Sequence, residues 1–126
     1  MQPIALIIGD ILAILVVTLI GFATHGEFSL AFVPRMAASF VPLCIGWFLL
    51  APVLGLFEPA TTGTASELWR PAFVMLFVGP FAALIRSMVL GDTVVPSFAV
   101  VLTLTTAVAL TLWRLLWFLL TRSLAA

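Results

Sequence analysis

Two side chains of opposite charge, Asp10 and Arg114, sit deep in otherwise apolar stretches. Asp10 lies seven residues beyond Pro3, near the start of the first apolar run. Arg114 lies seven residues before Thr121, near the end of the last. At a rise of about 1.5 Å per residue, both fall roughly 10 Å below the same end of their segments. An isolated charge in an apolar medium is costly, so such groups turn inward and pair. The expected arrangement is an ion pair between Asp10 and Arg114. Its functional reading is a proton or anion site; its structural reading is a latch between the first and last helices. The latch is preferred, because an unpaired Asp or Arg is the better mark of transport. Arg114 also has the option of snorkelling to the interface.

A second group gathers at the opposite end: His25 and Glu27 after the first apolar run, Arg35 opening the second, Arg86 closing the third, and Asp92 in the turn after it. Together they form a candidate anion or substrate mouth, with His25 as its proton-exchanging group. The plainer reading is ordinary interfacial charge with Arg86 snorkelling outward, and it is preferred. Glu58, Glu67 and Arg70 read as a solvated loop and helix start, and Arg122 as a terminal anchor.

Other chemistry is sparse. The one cysteine, Cys44, allows no intrachain disulfide. His25 and Cys44 alone fall short of the three or four ligands a protein zinc site takes, so no metal and no cofactor are expected. His25 as a single axial ligand to haem or bacteriochlorophyll is disfavoured. There is no Gly-rich phosphate loop and no Gly-x-Ser-x-Gly elbow. Ser39, Ser87 and Ser97 have no neighbouring base. No catalytic residues are assigned, and the chain is not expected to be an enzyme.

The elements that must position these groups follow from composition. Of 126 residues, 64% are hydrophobic and 8% charged, and the net charge is zero; the mean hydropathy is +1.35. A soluble domain is about a quarter charged, and one this small cannot hide so much apolar surface. A soluble enzyme, a nucleic-acid binder and a disordered tail are excluded. The N-terminal run lacks a basic flank and carries Asp10, so it reads as a retained span and not a secretory signal.

A helix needs about 20 apolar residues to cross the hydrocarbon core, and four segments supply them. The predicted fold is all-α: one polytopic membrane domain over 1–126, with transmembrane helices at about 3–23, 34–57, 69–90 and 94–121. The runs lack the alternation of barrel strands. Pro34, Pro71 and Pro96 fall in first turns, where a missing N–H is harmless. Pro42, Pro52 and Pro80 should kink spans two and three. Ser66 is placed to help cap the third helix. Small residues repeat every four positions at Gly9, Ala13, Val17 and Gly21, at Ala99, Thr103, Ala107 and Thr111, and at Gly79 and Ala83, a signal for close helix packing. Trp69, Trp113 and Trp117 suggest an aromatic belt on the termini side, and Trp47 a residue packed in the bundle. Arg70, Arg114 and Arg122 against Arg35 and Arg86 place the termini on the cytoplasmic side.

These residues resemble a family of small bacterial and archaeal membrane proteins grouped as a domain of unknown function. The resemblance runs from Gly9-Asp10 through Gly21, His25 and Gly26-Glu27, then Pro42 and Gly46-Trp47, then Arg86 and Phe98, to Trp113-Arg114. It departs at Leu43, where the pattern has Pro-Phe. It implies a four-helix membrane protein with no assigned activity, and it implies that Asp10, His25, Arg86 and Arg114 are family features.

The expected function is that of a structural or accessory module of the cell membrane. Its partners would be the bilayer and either further copies or a larger membrane complex, with no nucleic acid. The alternative is a small oligomeric transporter or channel using Asp10/Arg114 or His25/Arg86. A water-accessible Asp10 or Arg86, and a cavity lined by Thr103, Thr111 and the kinks at Pro42 and Pro80, would mark that alternative.

Overall fold

The computed structural model describes residues 2–27 and 29–125. Among them there is no strand. The α-helices are α1 (Gln2–Thr24), α2 (Val33–Leu50), the single-turn α3 (Pro59–Thr62), α4 (Arg70–Leu90) and α5 (Pro96–Ala125). Short 3-10 turns at Leu30–Phe32 and Ala65–Glu67 lead into α2 and α4. The helices α1, α2, α4 and α5 are long and apolar enough to cross a membrane. The fold is an all-α, four-span membrane architecture.

The four long helices pack in a square, α1 against α2 and α5, and α4 against the same two. The period of α1 shows how an almost wholly apolar helix still has an inside. Leu6, Asp10, Ile14, Thr18 and Phe22 recur every four residues and are buried; Ile4, Ile8, Leu12, Val16 and Ile20 recur on the other face and are exposed. Lipid receives the second set; the core receives the first. The small-residue stripe of α1 therefore flanks the buried face instead of forming it. Gly9 still serves close approach, since the Trp113 indole occupies the place its Cβ would take. At Gly79 the same holds for Thr103, and there α4 and α5 meet small residue to small residue. Around the axis, Ile14, Leu43, Trp47, Val78 and Leu110 form the centre of the apolar core.

The ends of the spans differ in places from the expected boundaries. The second span was expected to run to residue 57, but α2 stops at Leu50. Pro52 has no N–H with which to continue the helix, so it lies past the helix end and does not kink it. The chain runs on in turns until Gly55, at φ +70°. There the Leu56 N–H donates to the Ala51 carbonyl at 3.0 Å and the Gly55 N–H to the Pro52 carbonyl at 3.1 Å, a Schellman closure. Gly26 and Gly91, also left-handed, end α1 and α4. Pro42 and Pro80 do lie inside α2 and α4. The last span begins at Pro96, two residues later than expected. Ser66 does not cap α4: it belongs to the 3-10 turn, and Trp69 is the N-cap residue, with no side-chain cap.

Candidate functional site

The polar groups of the bundle fall into two places, one at each end. At the termini end, α1 and α5 bring Asp10 and Arg114 together. Arg114 Nε donates to Asp10 Oδ1 at 3.0 Å, and Nη2 to Oδ2 at 2.8 Å, the two-point geometry that suits a carboxylate best. From α2, Trp47 Nε1 donates to Oδ2 at 3.1 Å. The remaining Arg114 nitrogen, Nη1, donates to the Leu56 carbonyl. That oxygen is available because α2 has ended at Leu50 and the chain turns away at Gly55. The Trp47 and Phe57 rings lie 5.6 and 5.3 Å from the guanidinium carbon. Asp10 is fully buried and the Arg114 side chain is 4% exposed. Arg114 thus does not snorkel; it turns inward. The void beside it measures about 10 Å³, room for no more than about one water.

The surrounding loop is more ordered than a solvated link. Arg70 is half-buried, ion-paired to Glu67, and donates to the Leu54 carbonyl at 2.6 Å. Two arginines from α4 and α5 therefore cap the carbonyls left over where the α2 segment ends, a favourable place for cations. Trp113, expected in an interfacial belt, donates from Nε1 to the Leu6 carbonyl at 3.3 Å and so ties α5 to α1.

At the other end the five expected cluster residues divide. Arg35 and Asp92 pair at 3.1 Å, with side chains 42% and 45% exposed. His25, Glu27 and Arg86 instead line a pocket of about 370 Å³, with Thr18, Gly21, Ser39, Phe98 and Thr105 on its walls and Val17 and Leu102 towards the core. Arg86 forms no ion pair among the described residues. Its guanidinium carbon sits 4.4 Å from the Phe98 ring centroid. Its Nε is buried and has no hydrogen-bond partner, so Arg86 does not simply snorkel outward. The hydroxyls on the walls are used locally: Thr18 donates to Ile14, Ser39 to Arg35 and Thr105 to Val101 carbonyls.

An apolar layer separates the two places. One turn inward from Asp10, Trp47 and Arg114 lie Ile14, Leu43 and Leu110, all fully buried. Thr103 and Thr111, with Pro42 and Pro80, do not line the Arg86 pocket. Thr103 is buried against Gly79 and donates to the Ala99 carbonyl. Cys44 is half-buried. Among the described residues, no three His, Cys, Asp or Glu side chains come together as a metal site.

Sequence reasoning missed the roles of four contributors. Trp47 was expected to pack in the bundle, and its role as a donor to Asp10 has no motif. The Leu54 and Leu56 carbonyls carry no side-chain signal at all. Phe98 stood in the resemblance beside Arg86, but nothing in the sequence marked it as the platform for that arginine.

No curated protein and no solved structure matches the chain. A family model described as a protein of unknown function, DUF3054, matches residues 7–117, a stretch that contains the Asp10–Arg114 pair and the Arg86 pocket alike, and the chain belongs to that family.

Proposed function

We propose that the protein is a non-catalytic, non-conducting module of the cell membrane, a structural or accessory unit whose four spans are clamped by a buried charge hub. One observation carries this reading: Asp10 is fully buried with both oxygens engaged by Arg114 and Trp47. A group that moves protons or ions must exchange partners, and intramembrane charges that do so are open to a water-filled path. Among the described residues Asp10 is fully buried, with a void of only about 10 Å³ beside its partner Arg114 and the Ile14, Leu43 and Leu110 layer on the other side. With Arg114 held in the bundle, the count near the span ends is Arg70 and Arg122 against Arg35 and Arg86, which no longer favours either side.

Reconstitution into liposomes tests the reading. Vesicles with the protein should dissipate an imposed proton or chloride gradient no faster than empty ones. A flux abolished by Asp10→Asn would overturn it. A second reading, the oligomeric transporter, is favoured by the pocket at His25 and Arg86. It requires a flux that survives Asp10→Asn and is lost in Arg86→Gln.

A further inference from the structure

The Arg86 pocket has a gradient of chemistry along its length. At the mouth stand His25, Glu27 and Arg86; further along the helices the lining becomes the partly buried Val17 and Leu102, with the exposed Val101 at the outer edge. Val17 lies seven residues before Thr24, where α1 ends, a depth of about 10 Å. Its volume of about 370 Å³ falls in the lower part of the range of small-ligand sites, about 300–1,000 Å³.

The polar end points to one charge type. Arginine carries five donors and no acceptor. In Arg86 the guanidinium carbon lies over the Phe98 ring, a contact that takes up no N–H bond and so leaves the donors for a planar, two-point acceptor such as a carboxylate or phosphate. Among the described residues no carboxylate bonds Arg86: Nε is buried without a partner, Asp92 is engaged by Arg35, and Glu27, although it lines the same mouth, makes no ion pair with it. Glu27, also at the mouth, would repel a second negative charge and so favours a singly charged head. The deeper wall hydroxyls are bonded back to their own helices and present little to a polar ligand there. We propose that the pocket binds a monoanionic amphiphile, its carboxylate or phosphodiester head on Arg86 and one apolar chain running inward past Gly21 towards Val17 and Leu102.

Two sources fit that chemistry, a diffusible fatty carboxylate and an anionic membrane phospholipid. Native mass spectrometry of the whole chain, purified in a neutral detergent, separates them when dodecanoate and phosphatidylglycerol are added in separate arms. Dodecanol serves as the chain without charge and inorganic phosphate as the charge without chain. Retention of at least one anionic amphiphile, at least tenfold above dodecanol and inorganic phosphate, is expected, and the arm that retains names the source. Arg86→Gln should lower that retention tenfold or more, and Arg86→Lys should restore part of it. Gly21→Leu gives a steric check that leaves the arginine intact. A Cβ at Gly21 meets nothing within 4 Å, and leucine is the better helix former, so the variant should fold normally while filling the pocket and blocking retention. Equal retention of dodecanol, retention of neither anionic probe, or retention unchanged in Gly21→Leu would overturn the proposal.

Discussion

Arg114 and Arg86 are the same side chain on adjacent helices, both within apolar spans, yet the fold meets their needs in opposite ways. Arg114 finds a carboxylate, a backbone carbonyl and two aromatic faces, beside a void of about 10 Å³. Arg86 finds one aromatic face and borders a pocket of about 370 Å³, with Nε unpartnered. A charge taken out of water is tolerable only when paired and fully hydrogen-bonded. By that measure Arg114, with a partner for each guanidinium nitrogen, contributes cohesion. Arg86 is incomplete, and an incomplete cation beside an open volume is where an outside group fits. The contrast separates a structural arginine from a candidate functional one without reference to any relative.

The comparison breaks first if the two arginines cost the same to remove. Asp10→Ala, which strands Arg114 in the core, should destabilise the protein by about 3–5 kcal/mol, read from denaturant or thermal unfolding in detergent. Neutral hydrogen bonds between membrane helices average only about 0.6 kcal/mol; the larger figure applies because a charge, and not a dipole, is left unpaired. Arg86→Gln should shift stability by less than about 1 kcal/mol, since no partner is stranded. In a double-mutant cycle Asp10→Ala and Arg114→Gln should couple strongly; additive losses would mean that the pair is no latch.

The next effect is steric. At Gly9 the Trp113 indole stands where a Cβ would go, and the ring is held by its bond to the Leu6 carbonyl. Gly9→Ala should therefore cost about 1–3 kcal/mol, as overpacked sites do. Gly21→Ala, at the pocket, should be stabilising by up to about 1 kcal/mol through helix propensity. Equal effects at the two glycines would show that the tight end and the open end do not differ.

Trp47→Phe keeps an aromatic ring near Arg114 but removes the donor to Asp10. A hydrogen bond to a charged group is worth about 1.5–3 kcal/mol, and the expected loss lies at the low end because Arg114 still holds both carboxylate oxygens. A loss as large as that of Asp10→Ala would move the centre of the hub from the ion pair to the indole.

The spans were legible because continuous apolar runs allow little else in lipid. Asp10 and Arg114 were legible as partners because one rise per residue puts them at one depth. The burial stripe of α1 was not: with apolar residues on every face, small residues were the only periodic signal, and the buried stripe lies one position over, at Leu6, Asp10, Ile14, Thr18 and Phe22. The end of α2 was misplaced because Pro52 allows either a kink or a stop, and only the Gly55 closure decides between them. The division of the five-residue cluster was hidden for a related reason. Depth along a helix can be counted from sequence, but the azimuth that sends Arg35 to Asp92 and Arg86 to Phe98 depends on how the helices rotate against one another. Most of the residues that carry the family resemblance nevertheless sort by place: Gly9, Asp10, Trp47, Trp113 and Arg114 at the hub, and Gly21, His25, Glu27, Arg86 and Phe98 at the pocket, while Gly26, Pro42 and Gly46 belong to neither.

The smallest expected effect sharpens the contrast within the open end itself. The Arg35–Asp92 pair is close in geometry at 3.1 Å but nearly half exposed on both sides. Exposed pairs contribute about 0–1 kcal/mol and are screened by salt. Asp92→Asn should then leave stability almost unchanged, and what change there is should vanish at high salt. Its consequence for the pocket should be larger than its consequence for the fold. Releasing Arg35 adds an unpaired cation near the mouth, so retention of an anionic amphiphile should rise, most clearly at low ionic strength. A fall in retention would mean that Asp92 helps to hold Arg86 in place, and the pocket's arginine would then be less independent of its surroundings than its missing partners indicate.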